Sequence, residues 1–222
     1  MTIVSTEPVR VEGFRQPQQA RSREALQRIL TAAEEVLHAG GFDDFTMAAV
    51  AERAGVSIGA IYRRFDGREQ LLAALKDRLL SGMERRVGEG LAGADPSLGG
   101  VMDAYVHALA DALSLGGRTL ADLLRVQNIE LADRGVQAHT EMRRLVREAA
   151  APYMTEVRRA DPAAAVDTAV RTVTASCIFT AVQADGSEEN VIWADHADQL
   201  SDMAVAYLLT PDRRKRADKS AR

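Results

Sequence analysis

The stretch that decides the fold is FTMAAVAERAGVSIGAIYRRFDGREQLL, from Phe45 to Leu72. It predicts two short helices joined by a tight turn. Thr46 is placed to cap the first, over Met47–Arg53, and a second over Ile58–Phe65 follows the turn. Helices this short are marginal alone in water, so their apolar residues must share a core with other helices. The segment therefore predicts a helix-turn-helix.

The spacing inside this segment has a physical reason at three positions. Ala51 is small enough for the two helices to approach closely, and Gly55, four residues later, supplies the positive φ of the turn. Ile61 is expected to fill the angle between them. The second helix is then free to protrude, and its outer face is expected to enter the major groove of duplex DNA.

Each DNA contact is predicted from the chemistry of the side chain. Gly59 and Ala60 let the backbone approach base edges, and an alanine methyl can touch a thymine methyl. Arg63 or Arg64 can bind guanine with two hydrogen bonds, and the sequence leaves open which of them does. Hydroxyl groups, backbone amides at helix ends and the other arginines are expected to contact phosphates. The full set predicted to contact DNA is Arg21, Arg23, Thr46, Ser57, Ile58, Gly59, Ala60, Tyr62, Arg63, Arg64 and Arg68.

These residues resemble the DNA-binding motif of the tetracycline-repressor (TetR) family. The resemblance is carried by the capping Thr46, the Ala-Gly-Val-Ser turn, the Ile61–Tyr62 pair, Phe65, and the basic-acidic-x-Leu-Leu sequence that opens a fourth helix. Two positions depart from the family pattern. Ile58 stands where many members have Lys or Arg, and Gly67 replaces the usual Ser or Asn cap. Both changes weaken a phosphate contact but leave the predicted fold intact.

The composition limits where DNA can bind. Residues 81–211 carry 19 acidic against 11 basic residues, whereas residues 1–80 carry 11 of each. Only the N-terminal part is therefore expected to meet nucleic acid, because phosphate binding needs local positive charge. The single cysteine, Cys177, cannot form an internal disulfide, and no signal peptide or 18-residue apolar span stands out. We expect a cytoplasmic protein with no membrane partner.

Periodic apolar residues extend over most of the chain and predict an all-α protein. We predict an N-terminal three-helix helix-turn-helix DNA-binding domain and a C-terminal helical bundle for ligand binding and dimerisation. A glycine-rich stretch that begins at Gly88 marks the junction. The predicted segments are a flexible arm (1–20), the DNA-binding domain (21–67), a connecting helix (68–88), the ligand-binding and dimerisation domain (89–210) and a disordered basic tail (211–222).

The TetR resemblance implies a homodimer, a pseudo-palindromic operator and release of DNA by a small effector. The last two helices, Ala163–Gln183 and Asp195–Leu209, are expected to form the dimer surface. The effector is expected to be a small apolar or amphipathic molecule held in an apolar cavity. The residues predicted to line that cavity are Tyr105, Leu109, Leu123, Gln127, Met142, Leu145, Phe179 and Trp193, each of which has ordinary core packing as its alternative.

The sequence has two alternative interpretations from other classes of function. The first is a DNA-binding regulator without an effector, whose C-terminal domain serves only dimerisation or a protein partner. The second is an enzyme or metalloprotein. The four histidines are scattered and lack neighbours at metal-ligand spacing, and the sequence holds no phosphate-binding glycine loop or Gly-x-Ser-x-Gly motif. We therefore predict no catalytic residue, cofactor or metal site.

Overall fold

The protein is all-α, as predicted. The structure, a computed structural model, describes residues 20–125, 129–183 and 193–212. This part of the chain forms eight α-helices and one 3₁₀ helix and contains no strand. The α-helices are α1 (Ala20–Asp44), α2 (Met47–Ala54), α3 (Ile58–Tyr62), α4 (Arg68–Ala92), α5 (Leu98–Arg125), α6 (Ile129–Ala150), α7 (Pro162–Gln183) and α8 (Trp193–Leu209). The predicted arm and nearly all of the predicted basic tail lie outside the described residues.

Local capping explains the ends of the short helices. The hydroxyl of Thr46 accepts a hydrogen bond from the backbone N–H of Ala49 at 3.1 Å and begins α2. Gly55 ends α2 in the left-handed conformation, with φ 64° and ψ 38°. Ser57 caps α3, which ends at Tyr62 rather than at the predicted Phe65. Both predicted capping features of the turn, the threonine and the glycine, are confirmed.

The first helix is interrupted at the position that the sequence predicts. We predict an end at Gly40-Gly41, and within the range Ala20–Asp44 the backbone of Gly41 is non-helical, with φ 66° and ψ −162°. Glycine reaches this positive φ at little cost, so the chain leaves the helical path at Gly41, and a short helical segment follows the kink. Beyond the kink, Phe45 is buried and enters the N-terminal core.

One apolar core holds the N-terminal helices together. Its members come from α1, α2, α3 and α4, the segments between them, and one residue of α5. The buried residues are Leu26, Ile29, Leu30, Ala32, Ala33, Leu37, Phe45, Met47, Val50, Ala51, Ala54, Ile61, Phe65, Leu71, Leu72, Ala74, Leu75 and Leu123. Burial of this apolar area is what stabilises α2 and α3, which are too short to be stable alone.

The chain forms two compact units. Among the described residues the first unit comprises 20–83, 116–125 and 129–138, and the second comprises 84–115, 139–183 and 193–212. Residues 116–138 were predicted to lie in the C-terminal domain. They belong to the first unit because Leu123 packs into the N-terminal core and Arg134 pairs with Asp77. The functions assigned to the predicted domains stay predictions.

A buried ion pair joins α6 to α4 within the first unit. Arg134 donates from Nε to Oδ1 of Asp77 at 2.6 Å and from Nη2 to the hydroxyl of Ser81 at 3.1 Å. The adjacent Lys76 is also buried, with 2% of its surface exposed. Burial, and then the positive charge of Arg134, lower the pKa of Lys76. The ion pair between Arg134 and Asp77 and the hydrogen bond to Ser81 therefore connect α6 to α4.

Two of the C-terminal helices differ in length from the prediction, α5 being longer and α6 shorter at its C-terminal end. We expect two helices around Val101 and Leu120, but α5 is continuous through Gly116-Gly117, because glycine permits a break without imposing one. The long helix predicted to reach Val157 ends at Ala150. The 3₁₀ helix Ala151–Glu156 follows it, with proline in its first turn.

Helix α7 is apolar enough to raise the question of a membrane. Pro162–Gln183 is the one described helix long and apolar enough to cross a bilayer, by length and composition alone. Its buried stripe consists of Ala165, Val166, Ala169, Val170, Val173, Thr174, Cys177 and Ala181. This one-sided stripe is typical of a helix packed in a protein core. A single apolar helix of this kind is weak evidence for a membrane span.

Candidate nucleic-acid interface

The recognition helix α3 has one exposed face and one buried residue that anchors it. Ile61 is fully buried in the N-terminal core. Ile58 and Tyr62 are 46% and 52% exposed, and Gly59 and Arg63 are exposed as well. At 100° per residue these four positions cover a continuous arc of the helix. Four residues predicted to contact DNA are therefore exposed on this arc, whereas Ala60 and Arg64, predicted in the same set, are half-buried.

Gly59 lies in the middle of the exposed arc. A Cβ built on it would meet only Nη1 of Arg63, at 4.0 Å, and its φ is not positive. Neither packing nor backbone conformation therefore requires glycine there. Glycine inside a helix costs roughly 0.5–1 kcal/mol relative to alanine. The residue leaves room on the face of α3 at some cost to the fold.

The two capping hydroxyls lie at the surface beside this face. Ser57 accepts from the N–H of Ala60 at 3.2 Å, and Thr46 accepts from the N–H of Ala49. Each hydroxyl keeps its own proton for donation, so a cap can also donate to a phosphate. Ala60 is half-buried, on the side of α3 away from Ile58.

The two adjacent arginines of the motif have different environments. Arg63 is exposed, whereas Arg64 is half-buried. Nη2 of Arg64 donates to the backbone oxygen of Ser22 at 3.1 Å and to its hydroxyl at 2.9 Å. These bonds hold the end of α3 against the start of α1. The sequence leaves open which arginine reads a base; among the residues that the structure describes, the guanidinium of Arg64 has a hydrogen-bond partner and that of Arg63 has none.

Arg68, which is predicted to contact DNA, makes contacts within the protein. Its Nη2 donates to the backbone oxygen of Phe42, and its guanidinium carbon lies 5.9 Å from the centre of the Phe45 ring. The guanidinium therefore contacts both the end of α1 and the segment between α1 and α2, and Arg68 is half-buried. Its DNA contact stays a prediction, but the contacts it makes in this structure are structural.

The remaining predicted contacts lie on α1. Arg23 is exposed, within the first turns of α1. Arg21 belongs to the same helix, but its side chain lies outside the described part of the structure. Ser22 lies between them, in the first turn of α1. Its role as the partner of Arg64 has no local signal, because 42 positions separate the two residues.

The residues predicted to line a ligand cavity lie in both compact units and differ in burial, and the cavity stays a prediction. Leu123 belongs to the core of the first unit instead, and Phe179 is 63% exposed rather than enclosed. The side chains of Leu109 and Met142 are buried in the second unit. Leu145 and Trp193 are half-buried. Gln127 lies outside the described residues.

Tyr105 is a buried polar member of this set. It is fully buried, and its hydroxyl lies 2.6 Å from Oγ1 of Thr174 and 3.4 Å from the backbone oxygen of Val170. Burial raises the pKa of Tyr105 above its ordinary value, so the phenol stays neutral. Tyr105 therefore joins α5 to α7 through neutral hydrogen bonds.

The outer faces of α7 and α8 carry exposed apolar residues. Phe179 on α7 is 63% exposed, and Met203 and Leu209 on α8 are 46% and 40% exposed. Such residues leave apolar area in water unless another surface covers them.

The single cysteine, Cys177, is buried on α7, and burial raises the pKa of its thiol to about 12.

Comparison with known proteins identifies the N-terminal part. Residues 29–75 match the family model described as bacterial regulatory proteins, tetR family. The transcriptional regulators TtgW and SrpR of Pseudomonas putida are each 43% identical over 56 residues, 25% of this chain. The repressor KstR of Mycobacterium tuberculosis is 36% identical over 75 residues, 33% of this chain. The matched segments span 42%, 26% and 34% of those three proteins, respectively.

Solved structures share the fold over most of the chain. FadR from Bacillus subtilis, in complex with stearoyl-CoA, has a TM-score of 0.68 at 18% identity and covers 82% of this chain and 98% of its own. A TetR-family regulator from Rhodococcus sp. has a TM-score of 0.66 at 19% identity and covers 84% and 100%. Identity this low shows the shared fold alone.

The helix-turn-helix geometry and the family model coincide on the same residues, because Thr46, Gly55, Ile61 and Tyr62 all lie within 29–75. Residues 29–75 of this chain match the helix-turn-helix segment of the tetR family of bacterial regulatory proteins.

Proposed function

We propose that this protein is a cytoplasmic transcriptional repressor that binds a pseudo-palindromic DNA operator as a homodimer and is released by a small effector. The observation that carries the proposal is the exposed arc of α3, with Gly59 at its middle. A helix presented in this way fits the major groove, which admits one α-helix. The proposal is a binding function and assigns no catalytic residue.

The side chains around Gly59 supply both kinds of DNA contact. Arg63 is exposed, and its forked guanidinium can donate two hydrogen bonds to O6 and N7 of guanine. Tyr62 carries a phenol hydroxyl at the end of a 52% exposed side chain, which suits a phosphate oxygen. Thr46, Ser57 and Arg23 surround this face at the surface. We assign base reading to Arg63 and a positioning role to Arg64.

Dimerisation is supported by the exposed apolar residues of α7 and α8. Phe179, Met203 and Leu209 remain in water in a single chain, although the buried stripes of both helices are already packed. A second copy that covers them would place two recognition helices on one duplex. Their separation would be roughly one helical turn, about 34–36 Å, in the state that binds DNA.

The effector proposal is supported by the chemistry of a structural neighbour. FadR of B. subtilis was solved with stearoyl-CoA, an amphipathic molecule. An effector of this general kind fits the helical second unit, whose interior combines aliphatic residues with the Tyr105 hydroxyl. It can release DNA only if its affinities for the two states differ, with a typical coupling of about 1–3 kcal/mol.

Selection of bound sites from random duplex DNA tests the proposal. We expect an enriched inverted repeat whose half-sites are centred about 10–10.5 base pairs apart. Sedimentation at micromolar concentration is expected to give the dimer. Failure to enrich any sequence would contradict DNA recognition. A monomer that binds a single half-site would contradict the dimer.

Effector screening on the selected operator separates gating from the alternative of a regulator without an effector. A compound that raises the melting temperature and weakens operator binding would support gating. Acyl-CoA thioesters and free fatty acids of several lengths are the first probes. Operator binding that none of these amphipathic compounds changes would favour the alternative.

A further inference from the structure

An exposed aliphatic side chain opens the recognition helix. Ile58 is the first residue of α3 and is 46% exposed. The other aliphatic residues nearby are covered, since Ile61 is fully buried and Val56 packs against the N-terminal core. The chain therefore buries its aliphatic side chains in this region except at Ile58.

The position of Ile58 limits what it can contact on DNA. Residues at the N-terminal end of a recognition helix meet base edges in the major groove. Isoleucine has no hydrogen-bond donor or acceptor, so it gains nothing from a phosphate or from a polar base edge. The apolar group that ordinary DNA offers in the major groove is the C5-methyl of thymine.

We propose that Ile58 is a specificity-determining residue that selects a pyrimidine with a C5-methyl group, thymine in unmodified DNA, at one position of each half-site. This inference rests on the proposed function, because it requires α3 to lie in the major groove. Burial of the isoleucine against the methyl removes apolar area of both from water. Cytosine, which lacks the methyl, leaves that area exposed.

Ala60 is the other residue of α3 with a methyl suited to thymine. It is half-buried and lies about 160° around the helix from Ile58, outside the exposed arc. Ile58 and Tyr62 are one turn apart and share a side of the helix. The geometry therefore favours Ile58 for the methyl contact.

Removal of single methyl groups from the selected operator tests this proposal. Each thymine is replaced in turn by deoxyuridine, which keeps the base pairing and lacks the methyl. We expect one position per half-site at which the replacement weakens binding about fourfold, the value of one buried methyl. Replacement in both half-sites is expected to weaken binding about fifteenfold.

Protein variants assign the effect to a residue. Ile58→Ala is expected to bind the thymine operator more weakly and to lose the distinction between thymine and deoxyuridine at that position. Arg63→Ala is the matched control from the same exposed arc. It is expected to weaken binding while the thymine-to-deoxyuridine ratio stays as in the wild type.

A further set of duplexes, with cytosine or 5-methylcytosine at the critical position, tests whether a C5-methyl on cytosine can replace that on thymine. Cytosine at the critical position is expected to bind as poorly as deoxyuridine or worse, and 5-methylcytosine is expected to recover part of the loss. If the wild type binds thymine and deoxyuridine duplexes equally at every position, or if Ile58→Ala keeps the distinction, the inference is wrong. Such a result leaves the proposed function standing, whereas failure to select any operator contradicts both.

Discussion

Nη2 of Arg64 lies 3.1 Å from the backbone oxygen of Ser22 and 2.9 Å from its hydroxyl, which joins the end of α3 to the start of α1. The neighbouring Arg63 is exposed. Two adjacent arginines that look equivalent in the sequence therefore have different environments. Arg64 holds the end of α3 against α1, and we propose that Arg63 contacts DNA.

Substitution of each arginine by alanine is expected to separate stability from DNA binding. Arg64→Ala removes hydrogen bonds of a partly buried charged group and is expected to lower the free energy of unfolding by about 1–3 kcal/mol. Arg63→Ala is expected to change it by less than about 0.5 kcal/mol and to weaken operator binding by about 1–3 kcal/mol. Urea unfolding and operator titration measure the two quantities. Equal loss of stability in both variants would contradict the division of roles.

The buried pair of Asp77 and Arg134 is expected to contribute strongly to stability. Asp77→Asn removes the carboxylate that lies 2.6 Å from Nε of Arg134 and leaves two buried cations, Arg134 and Lys76, close together. Breaking a buried pair in this way costs about 3–5 kcal/mol. The measurement is the midpoint of urea unfolding, compared at an unchanged dependence of the free energy of unfolding on urea concentration.

Arg144 supplies a matched control on the same helix as Arg134. It pairs with Glu141 and Glu148 at 2.5 Å, but its side chain is 49% exposed. Arg144→Met is expected to leave the urea midpoint close to that of the wild type, because solvent screens exposed pairs. A loss as large as that of Asp77→Asn would show that burial does not decide the contribution.

His107 is expected to make stability depend on pH. Burial alone would lower the pKa of His107, but hydrogen bonds and charge from Asp103 and Asp198 outweigh it and raise the pKa above 6.5. A raised pKa stabilises the folded state fully below about pH 6.5, and this contribution is lost as the pH rises through the folded-state pKa. The melting temperature of the wild type should exceed that of His107→Gln more at about pH 5.5 than at about pH 8.5. A difference that is constant over this range would contradict the assignment.

A charge on the outer face of α7 is expected to break the dimer. Phe179→Glu puts a carboxylate at a position that is 63% exposed in one chain, and burial of that charge against a second copy is costly. We expect monomer in sedimentation at micromolar concentration, with an unchanged helical spectrum. Val136→Glu, at a 66% exposed valine on α6, is the control and should remain dimeric. A dimeric Phe179→Glu would place the interface elsewhere.

The features that could be predicted from sequence are local ones. Thr46 and Gly55 act on backbone groups within a few residues, so their positions in the sequence are enough to predict the cap and the turn. Leu123 and Phe179 show the limit, because both are apolar residues on amphipathic helices. Only the three-dimensional packing places one in the N-terminal core and leaves the other exposed.

The same limit applies to paired side chains. The contact between Ser22 and Arg64 spans 42 positions, and that between Asp77 and Arg134 spans 57. No spacing rule connects residues so far apart. A sequence pattern therefore predicts that an arginine is present at a motif position, but not whether it faces solvent or a neighbouring helix.

The most direct measurement of the central claim, that the exposed arc of α3 lies against DNA, compares Gly59→Ala with the wild type. The added methyl would meet only Nη1 of Arg63, at 4.0 Å. The free energy of unfolding of the variant should therefore be roughly 0.5–1 kcal/mol higher than that of the wild type. Its affinity for the selected operator should fall by at least about tenfold, because the methyl occupies space needed by the base edges. A variant that is more stable and still binds the operator as tightly as the wild type would contradict the claim.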